Sequence, residues 1–247
     1  MRHTEANAKA YDEGAKAWDD AMADNVAHSL LEKPAMASLI PPDLEHKEIL
    51  CIGVGAGEEL ASLVTQNPRR IVGIDVAPRL LEIAKGKYPS METRVMDMMG
   101  LEFPENSFDF VYSSLVFHYA HDWDVLLAGV RRVMKPRGRL LFSAHHPGYW
   151  GTKPATGKKY TNGRGITLAE HTAVLPGDIR VIYYNHPDKE SLLEDVAHSG
   201  LAIDRIVEPE MVKPRVRLSP AGREKYDSIA AKNARSPLFI VVLATNP

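Results

Sequence analysis

Between residues 48 and 143 short apolar stretches alternate with amphipathic ones, and this alternation restricts the fold more than any other feature of the chain. Glu48–Ile52, Arg70–Asp75, Thr93–Met96, Phe108–Ser113 and Arg139–Ser143 have the length and composition of strands. Glu58–Thr65, Pro78–Lys87 and Trp123–Met134 have the spacing of helices, and Pro78 suits a first helical turn. Strands that alternate with helices require right-handed crossovers. The expected result is an α/β fold, doubly wound around a parallel sheet with helices on both faces. Ligands of such sheets bind beyond the carboxyl ends of the strands, where the strand order reverses.

The flanks are less regular. Residues 5–40 read as two amphipathic helices, broken around Lys33–Pro34 and ended by Pro41–Pro42. Residues 147–188 are rich in Gly, Pro and Thr and contain one expected strand, Ile179–Tyr184. A helix over Lys189–Ser199 stops at Gly200, and two strands follow at Ala202–Val207 and Leu238–Ala244. The last strand is apolar throughout, as burial on both faces demands. The whole chain is expected to be one domain, with a helical cap over 1–45, a ligand-binding core over 46–147, a substrate-side insertion over 148–188 and final helix and strands over 189–247.

Thirty basic residues face thirty-two acidic ones, without the basic stripe that nucleic-acid binding requires. No apolar run has the length of a bilayer span and the first twenty residues lack an apolar core, so a cytoplasmic protein is expected. Cys51 is the only cysteine, which removes disulfides and cysteine-based metal sites. The expected partner is a small-molecule substrate, with no nucleic acid, no membrane and no metal, and the expected assembly is a monomer or homodimer.

The turn Gly53-Val54-Gly55-Ala56-Gly57 joins the first strand to its helix. Glycines there allow a sharp turn and let a ligand lie against the main chain. Asp75 follows 22 residues after Gly53, at the carboxyl end of the second strand, where an acid can accept from ribose hydroxyls. A dinucleotide fingerprint would need a third glycine at position 58, which is Glu58, and that carboxylate would repel a diphosphate. A sulfonium nucleoside carries no phosphate, so S-adenosylmethionine fits better than NAD.

The stretches ILCIGVGAG, IVGIDVAPRLLEIAK, VMDMMGLEFPENSFDFVYSS and RRVMKPRGRLLFS stand in the order of the motifs of class I S-adenosylmethionine-dependent methyltransferases. From about residue 46 to 146 the chain resembles the small-molecule type, similar to ubiquinone/menaquinone-biosynthesis-like methyltransferases. The resemblance implies a Rossmann-like, mostly parallel seven-stranded sheet whose last strand is antiparallel. It also implies that Gly53, Gly55 and Gly57 hold the methionine part of the cofactor, that Asp75 holds the ribose and that Val76 packs on adenine. Asp97 and the Met98 amide would meet the adenine edge, and Ser113 would stand near the methyl group. Family members usually carry an acid two residues before the first glycine to meet the cofactor's ammonium. Here that residue is Cys51, which leaves backbone carbonyls, Glu58 or Glu59 for the task.

Methyl transfer from a sulfonium is an in-line displacement that needs alignment and exclusion of water, sometimes with removal of a proton. Three candidate bases fall at strand ends: His118, His145 and His146. Adjacent residues of a strand point to opposite sides, so at most one of the pair 145/146 is expected to face the pocket. Tyr11 and Trp18 share one face of the first helix. In similar methyltransferases a tyrosine of such a helix approaches the cofactor, which makes Tyr11 a binding candidate and Trp18 a packing residue. Tyr149–Tyr184 would form the substrate-side cover, with Lys158–Lys159 read as a solvated pair. The expected activity is methyl transfer to an O, N or C atom of a small metabolite. The alternative is a non-catalytic cofactor-binding protein, a sensor or partner subunit, on the same fold.

Overall fold

The predicted alternation becomes a central sheet in the computed structural model, which describes residues 2–23, 25–150, 153–214 and 219–247. The chain opens with α1 (Arg2–Glu13), α2 (Ala15–Ala23) and α3 (Lys33–Leu39). Then come β1 (Glu48–Ile52), α4 (Ala61–Val64), β2 (Arg70–Asp75), α5 (Pro78–Lys87), β3 (Glu92–Val95), β4 (Phe108–Ser113), α6 (Trp123–Val133) and β5 (Met134–His145). The remainder is α7 (Pro147–Trp150), β6 (Lys159–Thr161), β7 (Thr167–Leu175), β8 (Ile179–Asn185), α8 (Lys189–His198), β9 (Ala202–Val207), α9 (Pro220–Arg235) and β10 (Phe239–Thr245).

The large sheet has seven strands in the order β3-β2-β1-β4-β5-β10-β9. The strands from β3 across to β5 pair in parallel, while β10 runs antiparallel to both β5 and β9. The chain winds outward from β1 to β3, then returns to place β4 on the other side of β1. That reversal opens a crevice at the carboxyl ends of β1 and β4. Alternate residues of β1 face opposite layers. Leu50 and Ile52 pack with α6 and α8, whereas Ile49 and Cys51 pack with α3, α4 and α5. No helix among the described residues is long and apolar enough to cross a membrane.

Several flanking elements differ from expectation, each for a local reason. The helical stretch through Lys33–Pro34 is not broken there: a π-turn at His28–Glu32 runs straight into α3. Proline 34 has no N–H to give to the Leu30 carbonyl four residues back, and the Val212 amide takes that carbonyl at 2.8 Å. The actual interruption in the first helices is Gly14, where a Cβ would lie 2.5 Å from Ile179 Cγ1 of β8. The helix expected over Glu58–Thr65 shrinks to α4, because Gly57 and Leu60 are tied into tight turns by bonds to the Val54 and Gly57 carbonyls. Thus turns, not a helix N-terminus, border the glycine loop.

The insertion holds more structure than its composition suggested. Instead of one strand it forms a three-stranded antiparallel sheet, β6-β7-β8. Helix α9 was also not anticipated; it has no buried residue, so its sequence carries no strong apolar stripe. The edge of the small sheet is closed by a side chain. Asn7 of α1 donates to the Ile182 carbonyl at 2.7 Å and accepts from the Ile182 amide at 2.8 Å. Its amide thereby imitates one residue of a neighbouring strand and fastens the helix to β8.

Replacing Asn7 by Ala leaves the Ile182 amide and carbonyl unpaired beneath α1, at an expected loss of about 1–3 kcal/mol. Chemical denaturation of Asn7→Ala should show a lower midpoint, and hydrogen exchange should quicken within residues 179–185 first. Unchanged exchange there would refute the docking role.

Candidate active site

A cavity of about 250 Å3 lies at the carboxyl ends of β1, β2 and β4. Its floor is the glycine turn. Gly53 has φ of 65°, and a Cβ on it would come within 2.3 Å of Val116 Cγ2, so both the conformation and the space exclude a larger residue. Gly53 and Gly55 line the cavity. Gly57 does not; it turns toward α5, where a Cβ would meet the Tyr88 ring at 3.2 Å.

Asp75 lines the cavity at the end of β2. Its two oxygens accept from the Gly55 amide and the Ala77 amide, each at 2.9 Å. Burial raises its pKa, and those amides oppose the shift by favouring the charged form. The carboxylate therefore braces the glycine turn as well as facing the cavity. Val76, Asp97 and Met98 also line it, and Asp97 Oδ1 accepts from the Met99 amide at 2.9 Å. Ser113 is placed elsewhere: it is fully buried and its hydroxyl donates to the Ile52 carbonyl at 3.2 Å. Its neighbour Ser114 is the serine that reaches the cavity. Leu115 follows with φ of 54°, an uncommon conformation for leucine, held by bonds from its amide to the Ser143 carbonyl and hydroxyl.

Tyr11 and Trp18 both line the cavity, edge to face with ring centroids 5.3 Å apart. The Tyr11 hydroxyl bonds that of Tyr119, and burial beside Tyr119 pushes the Tyr11 pKa far up. His118 and His145 line the cavity as well and stack on each other at 3.8 Å, with Trp150 stacked on His145 at 4.2 Å. Burial holds both imidazoles neutral, His145 down to about 3 and His118 well below its ordinary value. The Nδ1 atoms of both rings lack a hydrogen-bond partner. His146 turns away from the cavity, accepting from the Gly148 amide and lying 3.2 Å from Glu208. Lys158 and Lys159 are exposed and outside the cavity.

The least anticipated part of the site is a charged cluster beside Cys51. Glu32 is 0% exposed, and its Oε1 accepts from the hydroxyls of Ser114 and Ser143. His28 Nε2 lies 3.2 Å from Glu32 Oε2 and 3.1 Å from Glu59 Oε1, and Lys33 Nζ lies 3.2 Å from Glu59 Oε1. The Tyr112 hydroxyl reaches Glu59 Oε2 at 3.5 Å. These donor atoms of His28, Glu32 and Glu59 lie within 4.8 Å of one another, the one such group among the described residues. Lys33 already balances part of its charge, so the group reads as an ion network. His28 and Glu32 escaped the sequence reading. Their signal was an acid at position 32 on the apolar stripe that also carries His28 and Met36. Glu58, by contrast, points outward to Lys87 Nζ at 3.3 Å.

A doubly wound sheet with one antiparallel strand next to β5, a glycine turn after β1 and an acid ending β2 defines a Rossmann-like methyltransferase fold. Residues 50–142 match the methyltransferase domain family. That match runs from β1 to β5, so over this core the chain is similar to methyltransferase domains. It is 29% identical over 130 residues to a protein of Haemophilus influenzae described only as uncharacterized, covering 49% of this chain and 50% of that one. A demethylmenaquinone methyltransferase of Thermus thermophilus is 34% identical over 100 residues, 38% of this chain and 46% of the relative. These matches thus span about half the length of the curated relatives. A solved S-adenosylmethionine-dependent methyltransferase from Mesorhizobium loti shares the fold with a TM-score of 0.65 at 24% identity, over 86% of this chain and 96% of that one.

Burial and the neighbouring Glu32 raise the Glu59 pKa to about 7, against the opposing pull of His28 and Lys33. The folded protein therefore holds this proton more tightly than the unfolded chain, and stability falls as pH rises from about 4.5 to about 7. His28 acts in the same sense. Burial alone would lower its pKa, but Glu32 and Glu59 outweigh it and raise it, so its contribution is present below 6.5 and lost above. Glu59→Gln should flatten the dependence of the thermal midpoint on pH between 5 and 8. A slope equal to that of the unaltered protein would show that Glu59 does not titrate there.

Proposed function

We propose that this protein transfers a methyl group from S-adenosylmethionine to an O, N or C atom of a small metabolite. The observation that carries this reading is the composition of the cavity wall. Three carboxyl groups, Glu59, Asp75 and Asp97, stand with the glycine turn, Glu58 borders it with its carboxylate on Lys87, and no lysine or arginine is among the described lining residues. Such a wall suits a nucleoside with a sulfonium and an ammonium, and opposes a diphosphate or another anion. S-adenosylmethionine supplies an electrophilic methyl group on a neutral leaving thioether. Asp75 and the turn over Gly53 and Gly55 would seat the ribose and amino-acid end, while Val76, Asp97 and Met98 would flank adenine. Tyr11 and Trp18 of the helical cap would cover the site and keep water out.

The acceptor would lie against His118, His145 and Tyr119. Imidazoles held neutral at low pKa are poor bases at pH 7, which favours catalysis by proximity and desolvation over proton abstraction by histidine. With an O–H or N–H nucleophile the new bond would form as the carbon–sulfur bond breaks, and the proton would be lost to solvent when the methylated product leaves the covered site. We place this activity in the cytoplasm, in a monomer or homodimer without a nucleic-acid partner, as the near-neutral charge and missing basic stripe support. The second reading, a non-catalytic binding protein, draws on Cys51, where the family's usual acid is missing.

Incubation with methyl-labelled S-adenosylmethionine and a fractionated metabolite extract separates the two. Label appearing in a small product supports transfer, and S-adenosylhomocysteine binding without label transfer to any fraction supports the sensor. Once an acceptor is known, His145→Phe should lower kcat by less than about tenfold, whereas loss of a general base costs about 10²–10⁴.

A further inference from the structure

We infer that Glu59, reaching in from the turn after the glycine loop, holds the ammonium of the cofactor in place of the acid missing at Cys51. This deepens the cofactor reading above and rests on it.

The geometry follows from the sheet register. Cys51, one residue before the end of β1, pairs with Tyr112 of β4, and both line the cavity. Burial pushes the Cys51 thiol far up, so it stays an uncharged group unable to pair with a cation. Glu59 occupies the adjoining space and lines the same cavity: its Oε1 lies between His28 Nε2 at 3.1 Å and Lys33 Nζ at 3.2 Å, and its Oε2 lies over the Tyr112 hydroxyl at 3.5 Å. An acid at position 51 would stand beside both Glu59 and Glu32, three carboxylates in one buried corner. The short neutral side chain at 51 and the acid at 59 are therefore two halves of one arrangement.

Charged and titratable groups from several elements surround Glu59. His28 and Glu32 come from the π-turn, Lys33 from α3, Tyr112 from β4 and Cys51 from β1. Glu32 accepts from Ser114 and Ser143 at one oxygen, and His28 Nε2 lies 3.2 Å from the other. Two carboxylates face one lysine and one histidine. Glu58 is unsuited to this task, since Lys87 and Lys33 engage its carboxylate and its carbonyl from outside the cavity.

Calorimetry with two probes tests the assignment. S-adenosylhomocysteine carries the ammonium, and 5′-methylthioadenosine has the same nucleoside without the amino-acid chain. Glu59→Gln should weaken S-adenosylhomocysteine binding about tenfold or more while leaving 5′-methylthioadenosine within about twofold, as expected for loss of one charge-assisted hydrogen bond. Retained 5′-methylthioadenosine binding also reports that the variant is folded. Adding Cys51→Asp to Glu59→Gln should recover S-adenosylhomocysteine affinity to within about threefold of the unaltered protein, the acid having moved to the other side of the same corner. Should that double variant fail to fold, the two-probe comparison on Glu59→Gln decides alone. The assignment is overturned if Glu59→Gln leaves S-adenosylhomocysteine affinity unchanged, if both probes weaken equally, or if Glu58→Gln produces the selective loss instead. Unaltered protein that binds neither probe overturns the cofactor reading itself, a result distinct from all of these.

Discussion

The Asp75 carboxylate accepts one amide from the glycine turn and one from the start of α5. Through these two bonds the end of β2 fixes the shape of the loop after β1, and with it the floor of the cavity. The same loop is pinned from below, where the Val54 amide donates to the Ile74 carbonyl at 3.0 Å. A positive φ at Gly53 then brings Val116 against the main chain, closing the floor toward β4. A buried carboxylate without these amides would lose its charge or its place. Held by them, it keeps its place at the wall of the cavity, where Glu59 and Asp97 also stand.

How far the sequence revealed this depended on whether a signal was local. The strands of the core were legible because burial on both faces writes itself as short apolar runs, and Phe108–Ser113 is found where it was expected. Residues 147–188 were not, because β6 and β7 draw their pairing from each other rather than from a strong apolar pattern; Lys159–Thr161 has no buried residue at all. The break expected at Lys33–Pro34 failed through a long-range bond, the Val212 amide on the Leu30 carbonyl, which nothing near Pro34 announces. At the site, Asp75 and the turn were visible through spacing. Ser113 and Ser114 could not be told apart, since one residue of register decides which hydroxyl is buried against Ile52 and which faces the cavity.

The cluster around Glu59 is the clearest case of chemistry that opposes stability. Glu32 and Glu59 are two neighbouring carboxylates out of water that share His28 between them, with Lys33 on Glu59, an arrangement whose desolvation cost folding alone would not favour. Buried ionic groups of this kind gather at sites built for a ligand. Their position between the helical cap and β4 couples the cap to the sheet, because His28, Glu32 and Lys33 all belong to the helical stretch that precedes β1.

Polarity within the cavity runs in strand order, and topology explains why. From β3 across to β1 the strand ends carry Asp97, Asp75 and the pair Glu58–Glu59; from β4 to β5 they carry Ser114, His118 and His145. The reversal between β1 and β4 is thus also the boundary between an acidic half and a half whose imidazoles burial keeps neutral. On the reading proposed above, the acidic half would take the cationic nucleoside by Coulomb attraction and the half with His118 and His145 stacked ring on ring would take an uncharged acceptor. Charge would then sort the two ligands before any specific contact forms, and the methyl group would lie where the two halves meet.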